Sequence, residues 1–129
     1  MKNSSEKYAV ILAGGDGSRL KSLTRAITGD ERPKQFCPIL NDETLLDVTR
    51  NRVELAIKPE NIYYSLTKKH EFYYRRLLSD VKKSNLVVQS ENKGTAPAIL
   101  YALMRIATQN PDATVAFSHP TIIFPMMKP

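Results

Sequence analysis

The sequence predicts an α/β fold, a parallel sheet with helices on both faces. Four short apolar segments recur along the chain, at Tyr8–Ala13, Asn61–Leu66, Leu86–Gln89 and Thr114–Phe117. Stretches with helical spacing or helix-start signals separate them. The first segment, Tyr-Ala-Val-Ile-Leu-Ala, is apolar throughout instead of alternating, as expected of a strand buried on both faces. Strands that alternate with helices imply parallel pairing through crossovers.

Along the chain, Tyr8–Ala13 ends at Gly14-Gly15, and Gly14 to Ser18 reads as a glycine-rich loop. A short helix is expected at Arg19 to Leu23. Residues 24 to 43 read as loop, polar and carrying Gly29, Pro33 and Pro38. Asp42 is expected to cap a helix running from about Thr44 to Ile57, with an apolar stripe of Leu45, Leu46, Thr49, Val53 and Ala56. Pro59 follows its end. Asn61–Leu66 is the second strand. Lys68 to Ser79 is the second helix, with Phe72, Arg75, Arg76 and Ser79 at helical spacing. Leu86–Gln89 is the third strand. Pro97 opens a third helix to about Thr108, since proline is tolerated in a first turn where its missing N–H would have no partner. Thr114–Phe117 is the fourth strand. This order is Rossmann-like, and no internal repeat or linker is readable.

The chain has 129 residues and 42% hydrophobic residues, enough for one small core or part of a larger domain. Nineteen Lys and Arg against thirteen Asp and Glu give +6, which suits an anionic partner without choosing one. Cys37 is the single cysteine, so no internal disulfide forms. No stretch approaches the roughly 20 apolar residues of a membrane span, and Met1 to Lys7 is a polar tail without a signal-peptide apolar region. A cytoplasmic location is expected, with no membrane and no nucleic acid as partner. Arg and Lys are scattered over several elements instead of forming one basic face.

Gly14-Gly15-Asp16-Gly17-Ser18-Arg19 follows the first strand directly. Glycines let backbone N–H groups approach a ligand, and consecutive N–H groups form a concave anion site. Arg19 offers a planar, permanently charged fork for phosphate oxygens. The loop sits where open α/β sheets bind ligands, at the carboxyl end of a strand. It is neither a dinucleotide fingerprint nor a Walker loop. A second cationic loop, Arg32-Pro33-Lys34-Gln35-Phe36, contains a proline that could aim Lys34, a compact charge suited to phosphate.

The string Leu-Ala-Gly-Gly-x-Gly-x-Arg-Leu followed by Pro-Lys-Gln-Phe resembles the sugar-nucleotide pyrophosphorylases, and Pro-Lys-Gln-Phe resembles the mannose-1-phosphate guanylyltransferase branch in particular. The segment Gln89-Ser90-Glu91-Asn92-Lys93-Gly94-Thr95-Ala96-Pro97-Ala98 resembles the family's base-pocket segment. The resemblance covers about residues 8 to 117. It implies an incomplete nucleotidyltransferase domain that transfers GMP from GTP to mannose 1-phosphate, giving GDP-mannose and pyrophosphate. It implies that Leu12, Ala13, Gly14, Gly15, Gly17, Ser18, Gln89, Asn92, Gly94 and Thr95 bind GTP or another nucleoside triphosphate. Arg19 and Lys34 would be the catalytic cations, and a sugar 1-phosphate the second substrate. Gln89 and the backbone around Gly94 supply acceptors and donors for a base edge, and Thr95 also reads as a helix cap. Cys37 departs from the family's usual Leu and reads as structural.

The resemblance further implies Mg²⁺, held by an Asp in a Phe-Pro-Ser-Asp-His string after the fourth strand. Here residues 118 to 129, Ser-His-Pro-Thr-Ile-Ile-Phe-Pro-Met-Met-Lys-Pro, stand in its place, and that Asp is absent. Codons exist for this tail such that one T restored ahead of it reads Phe-Pro-Ser-Asp-His-Tyr-Phe-Ser-Asp-Asp-Glu-Ala. The tail is therefore expected to be frameshifted. The chain is expected to be truncated and inactive alone; a non-catalytic nucleotide-binding fragment is the alternative reading. His70 is expected to be a structural hydrogen-bonder, Asp42 and Asp47 capping or surface carboxylates, and Arg75-Arg76 a solvated helix face. Tyr63, Tyr64, Tyr73 and Tyr74 are expected to be core and boundary aromatics.

Overall fold

The computed structural model describes residues 6–16 and 21–120. Its sheet has four strands: β1 (Lys7–Leu12), β4 (Ile62–Thr67), β5 (Leu86–Gln89) and β6 (Thr114–Ser118). They lie in the order β5-β4-β1-β6, and every pairing is parallel. The connections run through α2 (Leu45–Val53), α3 (Glu71–Leu77) and α4 (Thr95–Gln109).

The pleat divides the core into two. Ala9, Ile11 and Ala13 of the β1 segment and Ile62, Tyr64 and Leu66 of β4 point to one side, where they meet Phe36, Leu46, Tyr74 and Leu78. Tyr8, Val10 and Leu12 point to the other with Tyr63 and Val87, and are covered by Ala102 and Ile106 of α4. Alternate side chains of β1 thus find apolar partners on both faces. This is why the strand is apolar throughout, and why the expected helices on both faces are present. Tyr63, Tyr64 and Tyr74 are buried and Tyr73 is half-buried.

Several element boundaries differ from expectation. Among the described residues the first helix, α1, spans Lys21–Thr28, running past the expected end at Leu23, while Arg19 and Leu20 lie outside the described residues. Gly29 ends it with φ +84° and an N–H to Arg25 O at 2.8 Å, a left-handed stop that glycine favours. The region read as loop also holds a hairpin of β2 (Pro38–Leu40) and β3 (Glu43–Thr44). Its turn residues, Asn41 and Asp42, both have positive φ, as a tight two-residue hairpin turn requires. Asp42 therefore does not cap the next helix. Thr44 does, in a capping box with Asp47: each accepts from the other's backbone N–H, at 3.1 Å.

Regular helix in α2 stops at Val53, and single turns carry the chain on to Ile57. Ile57 is buried and Ala56 exposed, so Ile57 replaces Ala56 at the end of the apolar stripe. A 3₁₀ turn at Lys68–His70 precedes α3. Phe72, Arg75, Arg76 and Ser79 mark its solvent face, while Tyr74 and Leu78 face the core. At α4 the cap is Gly94, with φ +100° and no side-chain hydrogen bond. Thr95 is the first helical residue, so its expected cap role fails and Pro97 lies within the first turn.

Candidate functional site

Parallel strands send their following loops to one edge of the sheet, and here those loops enclose a cavity of about 200 Å³. Leu12, Gly14 and Gly15 after β1 line it, with Lys34 and Gln35 from the cationic loop and Gln89, Asn92, Gly94 and Thr95 after β5. Eight of the residues expected to contact a nucleotide or its phosphates thus share one wall. Ala13 lies behind that wall, buried, its carbonyl bonded to Gln35. Gly17, Ser18 and Arg19 lie outside the described residues. Pockets for drug-sized ligands are roughly 300–1,000 Å³, so the cavity among the described residues is smaller than a typical whole ligand site.

The glycine loop is clamped from two sides. The Gln35 amide, itself buried, donates to Ala13 O at 2.8 Å and to Gly15 O at 2.9 Å. Opposite, the Thr67 hydroxyl donates to Gly14 O at 2.7 Å, and Ala13 N–H bonds Ser65 O at 2.8 Å. Protein donors thus hold the carbonyls of Ala13, Gly14 and Gly15 without a ligand, which lowers the entropy cost of binding one there. The two glycines serve different ends. A Cβ on Gly14 would sit 2.9 Å from Thr67 Oγ1, whereas one on Gly15 would meet nothing within 4 Å. Gly14→Ala is therefore expected to lower stability by about 1–3 kcal/mol through overpacking. Gly15→Ala is expected to leave the melting temperature within about 2 °C of the parent while blocking close approach of a ligand. Equal melting temperatures for the two variants would contradict this division.

The cationic loop is built just as tightly. Arg32 makes a bidentate pair with Asp30, Nε to Oδ1 at 2.9 Å and Nη2 to Oδ2 at 2.7 Å, and its guanidinium lies 5.2 Å from the Tyr73 ring centroid. The Arg32 hydrogen bonds hold the Asp30 carboxyl far below the usual carboxylate range, against a smaller opposing effect of burial. Pro33 follows in extended backbone, and Lys34 opens a 3₁₀ turn through Phe36. Phe36 is buried against the rings of His70, Tyr73 and Tyr74, 5.8 to 6.4 Å between centroids, which anchors Lys34 and Gln35 to the core. Cys37 is fully buried, with Sγ 3.7 Å from Pro33 O, and burial pushes its thiol up. It is structural, as expected.

Asp16 joins three loops. Its Oδ1 lies 3.0 Å from Lys69 Nζ and 3.3 Å from His70 Nε2. Burial acts to raise its carboxyl, but hydrogen bonds and charge from Lys69, together with Asn92 and His70, outweigh this and lower it. His70 is buried, and burial is the main cause that lowers its imidazole below the ordinary value, opposed by Asp16. Folded His70 thus takes up its proton at lower pH than the unfolded chain. Its contribution to stability is complete above about pH 6.5 and is lost as pH falls below that. Melting temperature is expected to fall between pH 7.5 and 5.5, and to fall less in His70→Gln; an equal fall in both would rule His70 out as the cause.

Gln35, Ser65, His119 and Pro120 also line the cavity without having been expected there, as does Ala98 at the end of the base-pocket segment. Gln35 stands inside the Pro-Lys-Gln-Phe motif, and Ser65 is a polar residue in an apolar strand. His119 and Pro120 belong to the irregular tail.

Residues 8–124 match the nucleotidyl transferase family. The chain belongs to that family. It is 31% identical over 111 residues to a mannose-1-phosphate guanylyltransferase of Escherichia coli K12, covering 84% of this chain and 22% of that protein. Mannose-1-phosphate guanylyltransferase ManC of Salmonella typhimurium is 32% identical over 107 residues, covering 81% and 21%. The crystal structure of a protein described as mannose-1-phosphate geranyltransferase, from Thermus thermophilus, superposes with a TM-score of 0.67 at 27% identity, over 87% of this chain and 32% of that one. The chain thus spans about a fifth of the length of these curated relatives. Among the described residues no helix is long and apolar enough to cross a membrane.

Proposed function

We propose that the cavity binds the nucleoside triphosphate GTP, and that in a whole protein of this kind it transfers GMP to mannose 1-phosphate. The observation that carries this reading is the convergence of Gly14-Gly15, Lys34 and Gln89 to Thr95 on one cavity. The backbone of the glycine loop receives the polyphosphate, with Arg19 as a further cation. Lys34 neutralises charge at the reacting phosphorus, and Gln89, Asn92 and the Gly94 backbone face the base. An oxygen of the sugar phosphate attacks the α-phosphorus in line and pyrophosphate leaves. No protein nucleophile is needed, so positioning and charge neutralisation supply the rate.

The described donor set does not suit Mg²⁺. That ion takes oxygen ligands in an octahedron, commonly with one or two carboxylates, and no carboxylate lines the cavity among the described residues. No step here is routed through a metal. The same observation favours a second reading for this chain: a nucleotide-binding unit that does not turn its ligand over. Incubating the purified 129-residue chain with GTP, mannose 1-phosphate and Mg²⁺ tests both. Binding of GTP without GDP-mannose is expected. Measurable GDP-mannose would contradict the inactivity, and absence of GTP binding would contradict the assignment of the cavity.

A further inference from the structure

An acidic residue is unexpected inside a loop that receives phosphates, yet Asp16 directly follows the two glycines. Its partner Lys69 comes from the 3₁₀ turn after β4, which Thr67 ties to Gly14. Lys69 therefore stands on the same sheet edge as the cavity, beside the phosphate loop. Lys69 is largely open, 60% exposed, and Asp16 partly so, 38%, although its Oδ1, the oxygen nearest Lys69, is buried. An ion pair with one exposed, long-chained partner holds weakly, and a triphosphate carries several charges against the single one of Asp16.

Resting on the nucleotide reading above, we propose that Lys69 is a further polyphosphate-binding cation of this site, and that Asp16 attenuates it by taking up part of its charge. Without ligand, the pair is neutral and holds Lys69 next to the loop. With a polyphosphate present, Lys69 shares its charge between Asp16 and the ligand. The phosphate affinity is thereby set below what the local cations alone would give. The substitution Asp16→Asn keeps the size of the side chain and an oxygen that can accept from Asn92, so the geometry of the three loops is preserved while the charge is removed.

The test is GTP titration of the parent chain, Asp16→Asn, Lys69→Met and the double variant, each at low and at near-physiological salt. Asp16→Asn is expected to tighten GTP binding about three- to tenfold at low salt, with the gain shrinking as salt screens it. Lys69→Met is expected to weaken binding by a similar factor and, in the double variant, to remove most of the gain. Thermal melts establish that each variant is folded. Weaker or unchanged binding in Asp16→Asn, or a gain that survives loss of Lys69, overturns the proposal. A parent chain that binds no GTP counts separately against the nucleotide reading.

Discussion

Replacing Phe36 with alanine is expected to lower stability by about 3–5 kcal/mol, the range for removing a buried aromatic ring, and to open the cavity at the same time. Phe36 is 1% exposed and belongs to the core cluster under β1 and β4. It meets three rings, those of His70, Tyr73 and Tyr74, and residues Lys34 and Gln35 of the same short turn line the cavity. Loss of the ring leaves a void no neighbour can fill without moving that turn. Denaturation in urea should show a midpoint shifted far below that of the parent. GTP titration under conditions where the variant is still folded should show weakened binding, because Gln35 no longer holds the carbonyls of Ala13 and Gly15. A variant with parent-like stability would show that the turn is anchored elsewhere.

The opposite pattern is expected for Lys34→Ala. Lys34 is half-buried at the cavity wall and makes no contribution to either core cluster. Its removal should change stability by less than about 0.5 kcal/mol, as for substitutions outside the core and its networks. In a whole protein carrying this site, turnover should fall by a factor equivalent to about 2–4 kcal/mol of transition-state stabilisation, the scale of losing one preorganised charge donor. The pair of variants separates holding the loop from acting through it. Phe36 changes both stability and function, and Lys34 changes function alone. Parent-like turnover in Lys34→Ala would remove it from the reacting centre.

The architecture was legible because burial on both faces forces an apolar run at β1, and Val10, Ile11 and their neighbours carry it openly. Most of what the sequence left unread lies between residues 24 and 44. There the structure is set by local hydrogen bonds and by single positive-φ residues, Gly29, Asn41 and Asp42, which leave no hydrophobic period to detect. Asp42 drew attention as a cap because Asp is a good one. Thr44 wins because its side chain and Asp47 satisfy each other's backbone N–H groups.

The site was legible as three motifs, but not as a clamp. Gln35 stood in the motif without an assigned role, because its importance comes from two carbonyls some twenty residues away in sequence. The same holds for Asp16. Its two neighbours, Lys69 and His70, lie on the turn after β4, and only the parallel register of β1 against β4 brings them to it. His70 was expected to be a structural hydrogen-bonder. It is buried beside Asp16 and Phe36, with Nδ1 unpaired among the described residues.

One cavity at the carboxyl edge of the sheet is proposed to receive a nucleoside triphosphate. The most direct measurement is a titration of the ¹⁵N-labelled chain with GTP, followed by backbone amide shifts. The largest changes are predicted at Gly14, Gly15, Lys34, Gln89, Asn92, Gly94 and Thr95, all saturating with one binding constant, while the amides of α3 stay in place. Shifts confined to other surfaces, or no saturable shift at these residues, would contradict the claim.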